Sequence, residues 1–225
     1  MPSEIAAIVA ARNEQERLAD TLDALRDSLA GARLIVADDS SADRTPEIAK
    51  AAGAEPVRGR RRVGKGAANT RAAEYLLQHG EPRIVLLCDG DLGRSAGELA
   101  KLVEIVAAGD ADIAVATFAR RVGGGFGLAL GFARHTVEKR AGRRLEAPLS
   151  GQRALTIDAL RAVLPFAPGF GMETAMDIDA LRAGLTLTEV ELDLEHRASG
   201  RTAAGFLHRG RQLADIARVY LSRRE

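Results

Sequence analysis

Ile84-Val85-Leu86-Leu87-Cys88-Asp89-Gly90-Asp91 runs five apolar residues into two carboxylates separated by one glycine. A continuous apolar run of this length reads as a strand buried on both faces of a parallel sheet, and open α/β sheets hold ligands at the carboxyl ends of such strands. Two acids at that edge need a cation. Asp-x-Asp offers hard oxygen ligands to Mg2+ or Mn2+, ions that keep open positions for substrate phosphates. Gly90 is expected to let the backbone turn tightly between the two acids. A lone Asp-Gly-Asp is more often a capped, solvated turn, so the weight of the reading falls on what surrounds it.

Upstream, residues 5–11 read as a first strand ended by Arg12-Asn13-Glu14, after which Leu18, Leu22, Leu25 and Leu29 mark one face of a helix closed by Gly31. Residues 33–37 form a second strand running into Asp38-Asp39-Ser40-Ser41-Ala42-Asp43, with Thr45 as N-cap and Pro46 as first residue of the next helix. Val57 marks a short edge strand and residues 65–78 a helix. Downstream, Ser95-x-x-Glu98 reads as a capping box opening a helix to Ala107, and residues 112–116 as a strand. This alternation predicts a doubly wound, mostly parallel sheet. The glycine-rich stretch 120–131 reads as a loop able to close over a bound donor. A helix to about Arg144, an extended segment at 148–155, a helix at 173–183, a half-buried strand at 185–194, a polar turn and a last helix at 206–222 complete the pattern.

The chain has 225 residues, 46% of them hydrophobic, enough to bury a sizeable core in one large α/β domain. Cys88 is the single cysteine, inside a predicted core strand, which excludes an intrachain disulfide and points to a reducing, cytoplasmic setting. No run approaches the roughly 18–20 apolar residues of a membrane span. Net charge is only +1, yet residues 117–144 carry a basic surplus of six and residues 197–225 a surplus of five. The second half therefore expects an anionic partner. With 4% aromatics and no recognition-helix motif, a phosphorylated small molecule or an anionic membrane surface fits better than nucleic acid. Gly59-Arg60-Arg61-Arg62-Val63-Gly64-Lys65-Gly66 nearly matches a P-loop, but Gly66 stands where Ser or Thr would ligate Mg2+. No G-x-G-x-x-G follows the first strand.

Three polar clusters, at Asn13-Glu14, Asp38-Asp39 and Asp89-Gly90-Asp91, end three predicted parallel strands and so share one sheet edge. Together with Ala10-Ala11-Arg12-Asn13-Glu14, Gly64-Lys65-Gly66 and Ser150-Gly151-Gln152-Arg153-Ala154, these motifs resemble, in order, those of family 2 glycosyltransferases. The nearest look is to polyprenyl-phosphate sugar synthases and glucosyl-3-phosphoglycerate synthases. The usual proline after the first strand is Ala10 here, and the usual Asp-Asp-Gly-Ser is Asp38-Asp39-Ser40-Ser41.

The resemblance implies a GT-A fold, a Rossmann-like doubly wound sheet with a C-terminal acceptor-side extension. Residues 1–117 would form the nucleotide-sugar half and 118–225 the acceptor half of a single domain. It implies Ala11, Asn13, Glu14, Asp39, Lys65 and Asp89 around the nucleotide, and Asp89, Asp91 and His196 around Mg2+ or Mn2+. Asp91 and Glu173, the latter in Gly169-Phe170-Gly171-Met172-Glu173, would serve the chemistry. Ser150 and Gly151 fall on the acceptor side, and Arg120, Arg121, Arg153, Arg197 and Arg201 are candidate grips on an acceptor phosphate, since guanidinium forks match phosphate oxygens. The expected reaction moves a hexose from a UDP- or GDP-sugar to a polyprenyl phosphate or a phosphoglycerate-like acid, with peripheral membrane contact through the arginine-bearing last helix and a homodimer both left open. The competing classes are a sugar-phosphate nucleotidyltransferase, which lacks its Gly-x-Gly-Thr-Arg loop here, and a non-catalytic nucleotide-sugar-binding module.

Overall fold

A computed structural model describes residues 4–119, 127–195 and 203–223. The chain alternates strand and helix from its start: β1 (Ile5–Ala11), α1 (Leu18–Ser28), β2 (Arg33–Asp38), α2 (Thr45–Ala51), β3 (Glu55–Arg58), α3 (Lys65–Gln78) and β4 (Ile84–Asp89). A 3-10 turn (Gly93–Leu99) leads to α4 (Ala100–Ala108) and β5 (Ile113–Phe118). Next come α5 (Gly127–Ala141), β6 (Arg153–Thr156), α6 (Ile157–Val163), a 3-10 turn (Gly169–Gly171), α7 (Met172–Arg182), β7 (Leu187–Leu192) and α8 (Ala203–Ser222).

The seven strands form one sheet in the order β3-β2-β1-β4-β6-β5-β7. All pairings are parallel except those of β6, which runs antiparallel to both β4 and β5. Strand order reverses between β1 and β4, the place where open α/β sheets form a crevice. The apolar strands alternate sides, so Ala6, Ile8, Val85 and Leu87 face one core and Ala7, Val9, Ile84, Leu86 and Cys88 the other. Leu18, Leu22 and Leu25 of α1 fill the second core, while Ala68, Ala72, Ala73 and Leu76 of α3 fill the first. A smaller cluster of Ala129, Ala133 and Ile216 joins α5 to α8.

Four local expectations change. Ser95 does not open a helix: its hydroxyl donates to the Leu92 carbonyl at 2.7 Å inside the 3-10 turn, and α4 starts only at Ala100. Thr45 is the first residue of α2, with its N–H and hydroxyl both given to Asp43 Oδ1 at 3.1 and 2.6 Å. The glycines 127 and 131, expected in a loop, lie inside α5. The extended segment near 150 is the antiparallel strand β6.

Arg153, the expected phosphate grip at the head of β6, points inward. It is 1% exposed, its fork binds the carboxylate of Asp177 in α7, and its Nε donates to the Ser150 carbonyl at 2.8 Å. The buried fork is thus fully used within the fold, and Arg153 is corrected from an acceptor contact to a tie between sheet and helix. Burial raises the Asp177 carboxyl to about 6; Arg153 pulls it down, and Glu189 and Glu173 add to the rise. The folded chain holds this proton more tightly than an unfolded chain would, at an ordinary value near 3.9. The stability linked to this group is therefore complete below about pH 4 and is lost as pH rises through 6. In urea unfolding, Asp177→Asn should flatten that slope. At neutral pH Asp177→Ala should cost about 3–5 kcal/mol, because it strands a buried guanidinium.

Candidate active site

The crevice is built where β1, β2 and β4 end side by side. Ala11 O accepts from Asp39 N at 3.1 Å and Ala10 O from Gly90 N at 2.9 Å, which locks the three strand ends in register. Gly90 is required for this close approach rather than for a special backbone angle: a Cβ there would stand 3.2 Å from Ala10 O and 3.3 Å from Ala11 Cβ. Two non-glycine residues take left-handed backbone, Asn13 at φ 57° and Ser40 at φ 58°. Ser40 occupies the usual glycine position of the Asp-Asp-Gly-Ser motif, and its hydroxyl donates to Gly59 O at 3.0 Å. Left-handed backbone carries a cost for any side chain that glycine avoids.

The loops after β1 and β2 are laced together. Asn13 N donates to Ser41 Oγ (3.0 Å), Ala42 N to Asn13 Oδ1 (2.8 Å), Glu14 N to Thr45 Oγ1 (2.9 Å) and Gln15 N to Asp43 Oδ2 (3.2 Å). Asp43 lies below the ordinary carboxylate range: burial nudges it up, and bonds from Thr45 and Gln15 more than offset that. A cleft of about 360 Å³ opens here, lined by Asn13, Glu14, Gln15, Glu16, Ala42 and Asp43. A larger hollow of about 540 Å³, lined by Asp20, Asp23, Asp27 and Arg94, shares no residue with the strand ends. Asp39 reaches the opposite way, accepting from Val63 N at 2.7 Å and Gly64 N at 3.0 Å. It thereby holds the Gly64-Lys65-Gly66 turn at the start of α3.

Lys65 closes the site. Its ammonium donates to Asp89 Oδ1 at 2.7 Å and to Glu173 Oε1 at 2.9 Å, uniting the start of α3, the end of β4 and the first turn of α7. Burial pulls the Lys65 ammonium down, but Asp89 and Glu173 together hold it above its ordinary value, so it stays charged at neutral pH. Burial, with Asp89 beside it, pushes the neighbouring Cys88 thiol up and leaves it unreactive. Gln152 completes the seat: its Oε1 accepts from Asp89 N at 3.1 Å and its Nε2 donates to Asp89 Oδ2 at 2.9 Å.

Glycines make the crowding feasible. A Cβ on Gly151 would collide with Lys65 Nζ and stand 3.1 Å from Asp89 Oδ2, and one on Gly66 would collide with the Ala167 carbonyl. Phe170 N donates to Asp215 Oδ2 of α8 at 3.0 Å, fixing the turn that leads into Glu173.

The structure thus gathers Lys65, Asp89, Gly151 and Glu173 into one cluster, with Asp39 holding the turn just before Lys65 and Ala11, Asn13 and Glu14 along the adjoining strand ends. Ser150 is buried, its hydroxyl accepting from Gln152 N at 3.4 Å. Arg120, Arg121, His196, Arg197 and Arg201 lie outside the described residues. Among the described residues no group of three or more His, Cys, Asp or Glu could hold a metal ion. The two hard carboxylates of Asp89 and Asp91 at the sheet's switch point nevertheless suit a divalent ion that shares its remaining positions with phosphate oxygens. Ser41, Asp43 and Gln152 stand inside motifs read from the sequence but were given no role there, and Asp215 was not singled out. For Gln152 a signal existed, an uncharged polar residue beside an arginine at the head of an apolar strand.

The sequence profile of glycosyl transferase family 2 matches residues 6–157. The chain belongs to glycosyl transferase family 2. Glycosyltransferase AglJ of Haloferax volcanii is 29% identical over 204 residues, 88% of this chain and 65% of that protein, so the chain spans just under two thirds of this relative's length. Glucosyl-3-phosphoglycerate synthase of Mycobacterium tuberculosis, in complex with phosphoglyceric acid, superposes with a TM-score of 0.80 at 27% identity. The same enzyme with Mn2+, UDP and glucosyl-3-phosphoglycerate gives 0.80 at 26%. Each match covers 99% of this chain and 80% of that one. The sheet is that of GT-A glycosyltransferases, and the synthase has been solved in complex with Mn2+ together with UDP or UDP-glucose. Among the described residues no helix is long and apolar enough to cross a membrane.

Two glycine substitutions separate fold from site. Gly66→Ala meets backbone and should destabilise the chain by about 1–3 kcal/mol in urea unfolding. Gly151→Ala meets side-chain ends rather than backbone, the tip of Lys65 and the carboxylate of Asp89, and should leave stability within about 1 kcal/mol while unseating the ammonium; a loss of nucleotide binding at unchanged Tm would register it.

Proposed function

We propose that this chain transfers a hexose from a UDP-sugar to a phosphorylated acceptor of the phosphoglycerate kind, with a divalent metal as cofactor. One observation carries the reading: the Lys65 ammonium bridges Asp89, on the nucleotide side, and Glu173, on the acceptor side. The resemblance over 99% of the chain to a synthase bound to UDP, Mn2+ and glucosyl-3-phosphoglycerate supports donor and acceptor alike.

In this reading the loops at Asn13-Glu14 and Asp39 receive the base and ribose. Each carboxylate oxygen of Asp39 accepts one backbone N–H and keeps further acceptor capacity. Asp89 and Asp91 hold the metal, with His196 as the third ligand on sequence grounds. The bound metal supplies Lewis-acid stabilisation to the diphosphate leaving group. Lys65, charged and held between two acids, adds a fixed positive charge beside the same group. Glu173 accepts the proton of, or orients, the acceptor hydroxyl. The starts of α3 and α7 bring helix N-termini to this edge, which favours the anionic substrates. On sequence grounds Arg120, Arg121, Arg197 and Arg201 are the grips proposed for the acceptor phosphate.

Family membership favours this over a nucleotidyltransferase, and the intact acids favour it over a non-catalytic module. UDP with Mn2+ at about 100-fold over its Kd should stabilise the chain by about 2.7 kcal/mol, a Tm rise of about 5–10 °C, and GDP should do less. Asp91→Asn should abolish the metal-dependent part of the shift and reduce hexose transfer from UDP-glucose to 3-phosphoglycerate by about 100-fold or more. No shift with UDP and Mn2+, or full turnover in Asp91→Asn, would overturn the proposal.

A further inference from the structure

We infer that Gln152 is a positioning residue that sets the orientation of the Asp89 carboxylate for metal and diphosphate, an inference that rests on the metal reading above. Gln152 is buried, and its side-chain amide meets Asp89 twice, once at the backbone N–H and once at Oδ2. The backbone contact decides which way the amide faces: a peptide N–H can only donate, so Oε1 must face it and Nε2 must face the carboxylate.

The place of Gln152 in the sheet explains why a side chain is needed. The β4–β6 ladder ends at Leu87↔Arg153, and the carbonyl of Gln152 accepts from Ala116 N of β5 at 3.0 Å. Just outside β6 the main chain of Gln152 keeps this bond to β5, and its side-chain amide takes over the pairing with Asp89. With Lys65 on Oδ1 and Gln152 on Oδ2, each oxygen has a named donor, and the plane of the carboxylate is fixed before any ligand arrives. The two donors differ in kind. Lys65 brings a single positive charge shared with Glu173, whereas the neutral amide orients Asp89 without offsetting its charge. Groups that orient a metal-binding carboxylate by hydrogen bonds typically tune affinity by about 10–100-fold when removed.

The test is Mn2+ binding to the full chain in the presence of UDP, read by the loss of the free-ion EPR signal. Gln152→Met keeps length and removes both bonds; Gln152→Asn keeps the amide but is too short to make both. The Mn2+ Kd should rise by about 10–100-fold in Gln152→Met and by less in Gln152→Asn, with cooperative metal-free unfolding retained. The Mn2+ concentration for half-maximal turnover should rise in parallel, with kcat recovered at saturating metal, a split that a purely structural role would not produce. Wild-type Mn2+ affinity in a folded variant overturns the inference, as does failure of both variants to fold, which would assign Gln152 to the sheet alone. If the wild-type chain itself binds no Mn2+ with UDP, the metal reading falls and this inference falls with it.

Discussion

The Lys65 ammonium is held by carboxylates from two distant parts of the chain, Asp89 at the end of β4 and Glu173 in the first turn of α7, and the site's geometry follows from that double ion pair. One positive charge between two carboxylates leaves the Lys65, Asp89 and Glu173 group formally negative. With 30% of its side chain exposed, Lys65 is only partly screened by solvent. Asp89 and Glu173 hold the ammonium above its ordinary range, so Lys65 stays charged at neutral pH. The surrounding glycines at 66 and 151 are the steric condition for it, since any side chain at 151 would occupy the place of the ammonium.

A second ion pair, Arg153 with Asp177, supports the first from behind. It joins the head of β6 to the middle of α7, one helical turn beyond Glu173, in surroundings with almost no solvent. Just ahead of β6 the Gln152 amide reaches Asp89, while Arg153, the next residue, turns to Asp177, so neighbouring side chains serve the crevice edge and the core. Asp215 does the same from α8, holding the Gly169–Gly171 turn from which α7 starts.

Much of this was legible before the structure. β1, β2 and β4 announce themselves by uninterrupted apolar runs that end in polar residues, and α3 by its alanine-rich face, bounded as expected at Lys65 and Gln78. The convergence of Asn13, Asp39 and Asp89 on one edge followed from parallel topology alone. β6 was not legible as a strand because it is four residues long and begins with an arginine whose partner, Asp177, lies 24 residues on. Arginine in a phosphate-handling chain reads as a ligand grip, and only burial distinguishes a grip from a strut. The capping box at Ser95 failed for a related reason: a serine hydroxyl that can cap a helix can equally close a 3-10 turn by donating to the carbonyl three residues back, and packing against α1 accompanies the turn.

The antiparallel insertion of β6 also dictates an order of assembly. β4 and β5 follow one another in the chain but never touch, because the space between them belongs to a strand made more than thirty residues after β5 ends. Until residues 153–156 emerge, both hold open ladder edges, a state prone to wrong pairing. Long-range closure of this sort slows folding relative to sheets filled in sequence. The segment that completes the sheet also carries Gln152 and Gly151 into the crevice, so a nascent chain cannot present a formed donor site before its sheet is sealed.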